Sequence, residues 1–375
     1  MSITKGIHIS LVTFYGGYIL MNIFLCSTVR HLLFSLLKAI KQSDEKNIIF
    51  MICDQQNIDV NNFDVSHLPK NIEVVFFNRS DLRKRVYSGV QGKIIKFAAN
   101  YKVSLPTFFQ KKIAELIFNQ ALAVNLTIEE LSSARLYIYN DRNKMARLFR
   151  LAFNRYDLIE EGVGNYYGNS LKNHEKLISF ITGSKKTKRF FGDDERCNNI
   201  YLINAENAPE ELKFKVKKID FINSDYINDY CYNFFKISID IQPQCILATQ
   251  PSIFSDVDMA IYKKIILKCQ QNNITVAIKP HPREDISYYL AAFPDTLMIE
   301  SKIPLELIIF KANKNINILS ICSSAGLGFE SYCSRLPLIK DNELDNVLYS
   351  KCTYNMESLG PRIDTMFIDL QHDLS

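Results

Sequence analysis

The sequence predicts an α/β protein built from two doubly wound, Rossmann-like domains that face each other across a cleft. Three observations carry that prediction: short apolar runs bounded by Asp, Asn and Pro, helical stretches between them, and a change of character midway along 375 residues. Such runs read as parallel strands buried on both faces, and strands alternating with helices imply a doubly wound sheet. A hydrophobic content of 47%, with 12% aromatic residues, over this length suits two cores better than one.

Residues 21–25 read as the first strand, and residues 28–42 as the helix that follows it, stopped at Ser43. Residues 47–53 (NIIFMIC) and 72–77 (IEVVFF) supply the next two strands. Residues 108–125 carry apolar side chains at helical spacing, residues 134–139 (ARLYIY) are again a strand, and residues 144–153 form a basic amphipathic helix. Residues 156–159 (YDLI) close the pattern, which assigns residues 1–203 to a first domain. A basic loop at 183–189 (GSKKTKR), an acidic one at 192–195 and a polar tract at 204–230 lead into a linker over 204–243. The second domain, residues 244–345, has strands at 245–249, 275–279 and 316–321 and helices at 258–271, 304–310 and 326–334. Residues 346–375 are expected to pack back on the first domain. No period repeats, and no low-complexity tract appears.

Lys and Arg number 45 against 40 Asp and Glu, and a net charge of +5 is too small to argue for nucleic-acid binding. It leaves room for anionic ligands. The nine cysteines are scattered, odd in number and without CxxC or zinc spacing, which points to a reducing, cytoplasmic setting with no structural metal. Residues 7–26 are almost uncharged, but Gly16 and Gly17 interrupt them and residues 21–25 belong to a strand. What remains, 7–20, is too short to span a bilayer and lacks the basic start and cleavage site of a signal peptide. A peripheral contact with the inner face of the cytoplasmic membrane fits, helped by the basic segments 142–155 and 183–189.

Three motifs carry candidate chemistry. Glu160–Glu161–Gly162, followed by Gly164–Asn165, sets two carboxylates at the C-terminal end of a predicted strand, where open α/β sheets bind ligands. A carboxylate there suits a general base, with Gly162 and Asn165 in a substrate loop; capping or turn chemistry is the structural alternative. Lys279–Pro280–His281–Pro282–Arg283 follows an apolar strand and fixes one histidine between two prolines, beside cations that suit a leaving phosphate. Ser323 and Ser324 sit where a strand is expected to pass into a helix, which makes either an anion site or a plain N-cap. Asp256 and Asp258 look like a metal-holding acidic pair, but they open a helix, so capping is the stronger reading and no metal is expected.

Together these motifs resemble glycosyltransferase family 52, the bacterial lipooligosaccharide and capsule sialyltransferases. The resemblance rests on Glu160–Glu161–Gly162, on Lys279–Pro280–His281–Pro282 and on Ser323–Ser324, with support from Ala248–Thr249–Gln250–Pro251 and the strand and helix over 22–40. It implies a GT-B fold, a CMP-sialic acid donor, inversion at the anomeric carbon, no cofactor and no metal. It also implies a terminal sugar such as galactose on a surface glycan as acceptor, and is compatible with a homodimer. Under it the first domain is the acceptor side and the second binds the nucleotide sugar. Glu160 is then the base, with Glu161 and Asp256 as alternatives, and His281 serves the CMP phosphate together with Lys279, Pro282, Ser323 and Ser324. The chain departs from the family in having Glu-Glu where many members have Asp, and Ser252 where some carry an acid. Lys-Pro-His-Pro after a strand also resembles the transferases that build polymers from CDP-glycerol. A hexose transferase of the same family and a glycan-binding module without activity stay open. Under any transferase reading, Glu160, His281, Ser323 and Ser324 are predicted to line one cleft.

Overall fold

The apolar run MNIFLC makes β1 (Met21–Cys26), a strand buried along its whole length and therefore central. The computed structural model describes residues 20–101, 103, 105–171, 188–222, 225–237, 243–250, 255–312, 316–340, 343 and 355–374. Thr28 caps α1 (Val29–Lys41) by accepting from the His31 amide, and β2 (Lys46–Ile52) and β3 (Ile72–Phe77) follow. The chain then builds α2 (Arg79–Val86), α3 (Gly89–Tyr101), α4 (Thr107–Glu115) and α5 (Ile128–Ser133) before β4 (Arg135–Ile138). After α6 (Lys144–Phe149) come β5 (Tyr156–Ile159), the small antiparallel pair β6 (Asn169–Ser170) and β7 (Lys188–Arg189), then β8 (Cys197–Leu202) and β9 (Val216–Lys218). Seven of these strands form one all-parallel sheet in the order β3-β2-β1-β4-β5-β8-β9.

The second half repeats the logic on a smaller scale. Helix α7 (Asp225–Phe234) leads to β10 (Cys245–Ala248), α8 (Ser255–Gln271), β11 (Val276–Lys279), α9 (Ile286–Ala292) and β12 (Leu297–Met298). Then follow α10 (Leu305–Lys311), β13 (Ile316–Ser320), β14 (Cys333–Pro337) and α11 (Met356–Leu374). The strands pair in parallel in the order β12-β11-β10-β13-β14.

One core lies on the helix-covered outer face of the first sheet and another on that of the second. The third is shared: α1 and Phe24 of the first domain pack in the same cluster as Ile246, Leu307, Ile318 and Phe329 of the second. Phe34 of α1 lies 6.1 Å from Phe221 and 6.2 Å from Phe329, ring centre to ring centre.

Four expectations need correction. The first sheet takes β9 from the predicted linker, because Val216–Lys218 pairs with β8. Residues 326–334 are not a helix but turns running into β14, since Gly326 and Gly328 hold φ values of 74° and 83°. The final helix does not return to the first domain: α11 packs on α8 and β14 and buries Leu359, Ile363, Phe367 and Leu370 in the second domain's core. The helix expected over 108–125 ends at Glu115 and continues as a wider, π-helical turn over Leu116–Ala121. Residues 7–19 and 183–187 lie outside the described residues. Among the described residues, no helix is long and apolar enough to cross a membrane.

Candidate active site

Strand order reverses at β1 in the first sheet and at β10 in the second, and the crevice outside such strand ends is where open α/β sheets take ligands. The two crevices face each other and merge into a cleft of about 250 Å³. It is lined by Glu160, Glu161 and Gly162 from the first domain and by Lys279, His281, Pro282, Ser323 and Ser324 from the second. Motifs more than a hundred residues apart thus meet in one place. Asn165 and Asp256 do not line it. Asn165 stands behind the acidic loop, where its Oδ1 accepts from the amides of Glu161 (2.8 Å) and Gly162 (3.2 Å). Asp256 is exposed in the first turn of α8, and Asp258 is buried there. Among the described residues, no three His, Cys, Asp or Glu side chains gather in a metal-binding group.

The two adjacent glutamates have opposite surroundings. Glu160 is 1% exposed, and its Oε2 accepts from the Ile203 amide at 2.9 Å and from the Tyr166 hydroxyl. Its Oε1 faces Arg30 Nη2 at 3.5 Å. A carboxylate so committed is a fixed structural member of the loop, with both oxygens engaged. Glu161 is only partly buried, and its Oε2 accepts a single bond from Asn140 Nδ2 at 2.8 Å. Burial raises its pKa above the ordinary glutamate value, opposed by Asn140 and by the charges of Arg30 and Arg283. The backbone turns at Gly162, φ 152°, which leaves the Glu161 carbonyl to accept from Arg30 Nη1 at 2.9 Å.

Across the cleft, the turn after β11 is held by Glu284. Its Oε2 accepts from the His281 amide at 2.9 Å and from the Thr249 hydroxyl, while Oε1 accepts from Tyr289 at 2.9 Å. His281 Nδ1 accepts from the Arg283 amide at 3.2 Å, so in the neutral ring the proton sits on Nε2. Burial, and then the charges of Arg283, Lys279 and Lys302, push this imidazole down to about 4. The unliganded ring is therefore neutral at pH 7 and offers one N–H donor. Lys279 lines the cleft but is only 6% exposed, and its Nζ donates to the carbonyls of Ser301 (2.9 Å) and Pro280 (3.2 Å). Burial lowers its pKa to about 7.

Ser323 and Ser324 stand on a turn rather than at a helix N-terminus. Arg335 fixes that turn by donating to Ala325 O at 3.0 Å and Ser323 O at 3.2 Å, and Ser323 Oγ accepts from the Ala325 amide at 3.1 Å. Ser324 is exposed towards the cleft.

Sequence reasoning missed Arg30. It lies in the first turn of α1, beside the strand where the order reverses, and that position was the available signal. Its Nε donates to Glu306 Oε1 of α10 at 2.8 Å, so one guanidinium ties both glutamates of the acidic motif to the opposite domain. Lys302 makes a second tie, donating to Pro282 O at 2.5 Å and to Gln56 O of the first domain. A larger cavity of about 860 Å³ opens at the opposite ends of β4 and β5, lined by Arg135, Arg155, Asp157 and Lys217, and holds none of the predicted site residues.

Two doubly wound parallel sheets, with their switch-point crevices joined in one acid- and histidine-lined cleft, define a protein of the GT-B architecture. Residues 96–333 match glycosyltransferase family 52, and the chain belongs to that family. An uncharacterized protein of Haemophilus influenzae is 27% identical over 187 residues, 46% of this chain and 58% of that protein, so the chain matches little more than half of this relative's length. Among solved structures, the α/β-galactoside α-2,3-sialyltransferase of Photobacterium phosphoreum is similar with a TM-score of 0.48 at 12% identity, over 84% of this chain and 89% of that one. The UDP-GlcNAc 2-epimerase of Neisseria meningitidis is similar with a TM-score of 0.48 at 12% identity, over 94% of this chain and 91% of that one.

Proposed function

We propose that the protein is an inverting glycosyltransferase that moves sialic acid from CMP-sialic acid to a terminal sugar, galactose, of a bacterial lipooligosaccharide or capsule. The observation that carries this reading is the pairing, across one cleft, of a partly exposed carboxylate of raised pKa with an imidazole that presents an N–H. Glu161, not Glu160, is the base in this reading, because every oxygen of Glu160 is already engaged. As the acceptor oxygen bonds to the anomeric carbon, Glu161 takes its proton. The bond from that carbon to the phosphate oxygen breaks, and its electron pair leaves with CMP. His281 Nε2 donates to that phosphate, whose charge draws the imidazole pKa upward, so the group serves best as the bond opens. Ser324, exposed on the same cleft wall, supplies a further donor. No metal or other cofactor takes part in this scheme.

The test is transfer from CMP-sialic acid to a galactose-terminated acceptor. His281→Ala is expected to lower kcat by about 10² to 10⁴ with a smaller change in donor KM. EDTA is expected to change neither. Activity lost on chelation and restored by a divalent ion overturns the metal-free scheme. Turnover of a UDP- or CDP-linked donor in place of CMP-sialic acid overturns the donor assignment and leaves the cleft intact.

A further inference from the structure

Helix α3 has two apolar faces where a domain helix needs one. Gly92, Ile95, Ala98 and Ala99 are buried against the first domain. On the opposite side Val90, Ile94, Phe97 and Tyr101 are 75%, 62%, 59% and 70% exposed. Their spacing of four, three and four residues lays them in a stripe along the helix. The rings of Phe97 and Tyr101 meet in a tilted contact, 36° between planes and 4.5 Å between centres. The stripe is followed at the start of α4 by Phe108 and Phe109, 61% and 54% exposed, with Lys112 Nζ 4.4 Å above the Phe108 ring.

The charge around these residues has one sign. Between Asp81 and Glu115 the chain carries eight Lys and Arg and no Asp or Glu. Arg83, Lys84, Lys93, Lys96, Lys111 and Lys112 are all exposed. A second copy of the chain docked here would set those cations against their own kind. An anionic surface complements them. The basic segment 142–155 offers less charge to a surface: Lys144 and Arg155 are exposed, but Arg142 and Arg147 are half-buried and Arg150 is 2% exposed and bonded to Asp194 and to the Asp141 carbonyl.

We propose that the outer face of α3 and the start of α4 dock on an anionic lipid bilayer, the aromatic and aliphatic side chains entering the headgroup boundary while the lysines meet acidic headgroups. The surface lies apart from the cleft, so this docking holds whichever sugar nucleotide the cleft takes.

The experiment is sedimentation of the full chain with vesicles of phosphatidylcholine alone and of phosphatidylcholine mixed equally with phosphatidylglycerol. Binding is expected to the anionic vesicles only and to weaken as salt rises. Lys93→Glu with Lys96→Glu, and separately Ile94→Ser with Phe97→Ser, are each expected to reduce that binding by about tenfold or more. Both variants should transfer to a short soluble acceptor at the wild-type rate, which separates loss of docking from loss of the active site. If the apolar variant loses its thermal transition, the lysine variant, which alters only exposed charges, carries the result. Wild-type chain that ignores anionic vesicles, unchanged binding by the lysine variant, or a dimer in lipid-free solution that the same substitutions dissolve, each overturns the proposal.

Discussion

Tyr166 and the Ile203 amide saturate one oxygen of Glu160 while Arg30 faces the other, and among the described residues the Glu161 carboxylate accepts from Asn140. Glu160→Gln is therefore expected to act first on folding, lowering stability by about 1 to 3 kcal/mol, because an amide cannot serve the two donors on Oε2 and the guanidinium facing Oε1 at once. Thermal denaturation measures it. Glu161→Gln should lower kcat by about 10² to 10⁴ and leave the thermal transition as high or higher, since the raised pKa means folding strains that carboxylate near neutral pH. The acid limb of kcat/KM should fall above the ordinary glutamate range and be absent from the residual activity of Glu161→Gln. His281 adds a stability signature of its own. Its pKa falls from 6.5 to about 4 on folding, so between those values the unfolded chain holds more protons and stability climbs as pH rises. His281→Asn should flatten that part of a melting-temperature profile. The acidic pair, the proline-bracketed histidine and the two serines were legible because each is a local pattern beside a strand. Which glutamate keeps an oxygen open to the cleft was not, because Tyr166, Ile203 and Arg30 converge on Glu160 only after folding.

At the scale of elements, the central strands were readable from their continuous apolar runs: the expected 245–249 is β10, Cys245–Ala248, and the expected 156–159 is β5. The helix expected over 326–334 failed for a reason visible afterwards. Leu327 and Phe329 suggest a buried element, but Gly326 and Gly328 adopt the left-handed region, and a Cβ on Gly328 would meet Ile203 at 2.5 Å. Arg335 from β14 does the work assigned to a helix end, holding the serine turn by two carbonyls. Arg335→Gln should thus raise donor KM severalfold with kcat less affected, and an unchanged KM in steady-state assays would remove the turn from donor binding. Thr28→Ala, which deletes the cap of α1, should cost about 1 kcal/mol by denaturant titration.

Across the whole molecule, two side chains, Arg30 and Lys302, tie the halves together at the rim of the cleft. Arg30's place after the first strand was a signal, but neither tie was legible in the sequence, since the partners Glu306 and Gln56 lie 276 and 246 residues away. Beneath them runs the core shared by both sheets, where α1 rests on residues of the second domain. Chain severed within residues 238–242 should consequently give two fragments that are each poorly soluble alone, because Phe34 on one and Phe329 on the other would meet water. Produced together, the fragments should find each other and regain the cleft, so that activity reports reassembly and neither half behaves as an interchangeable module.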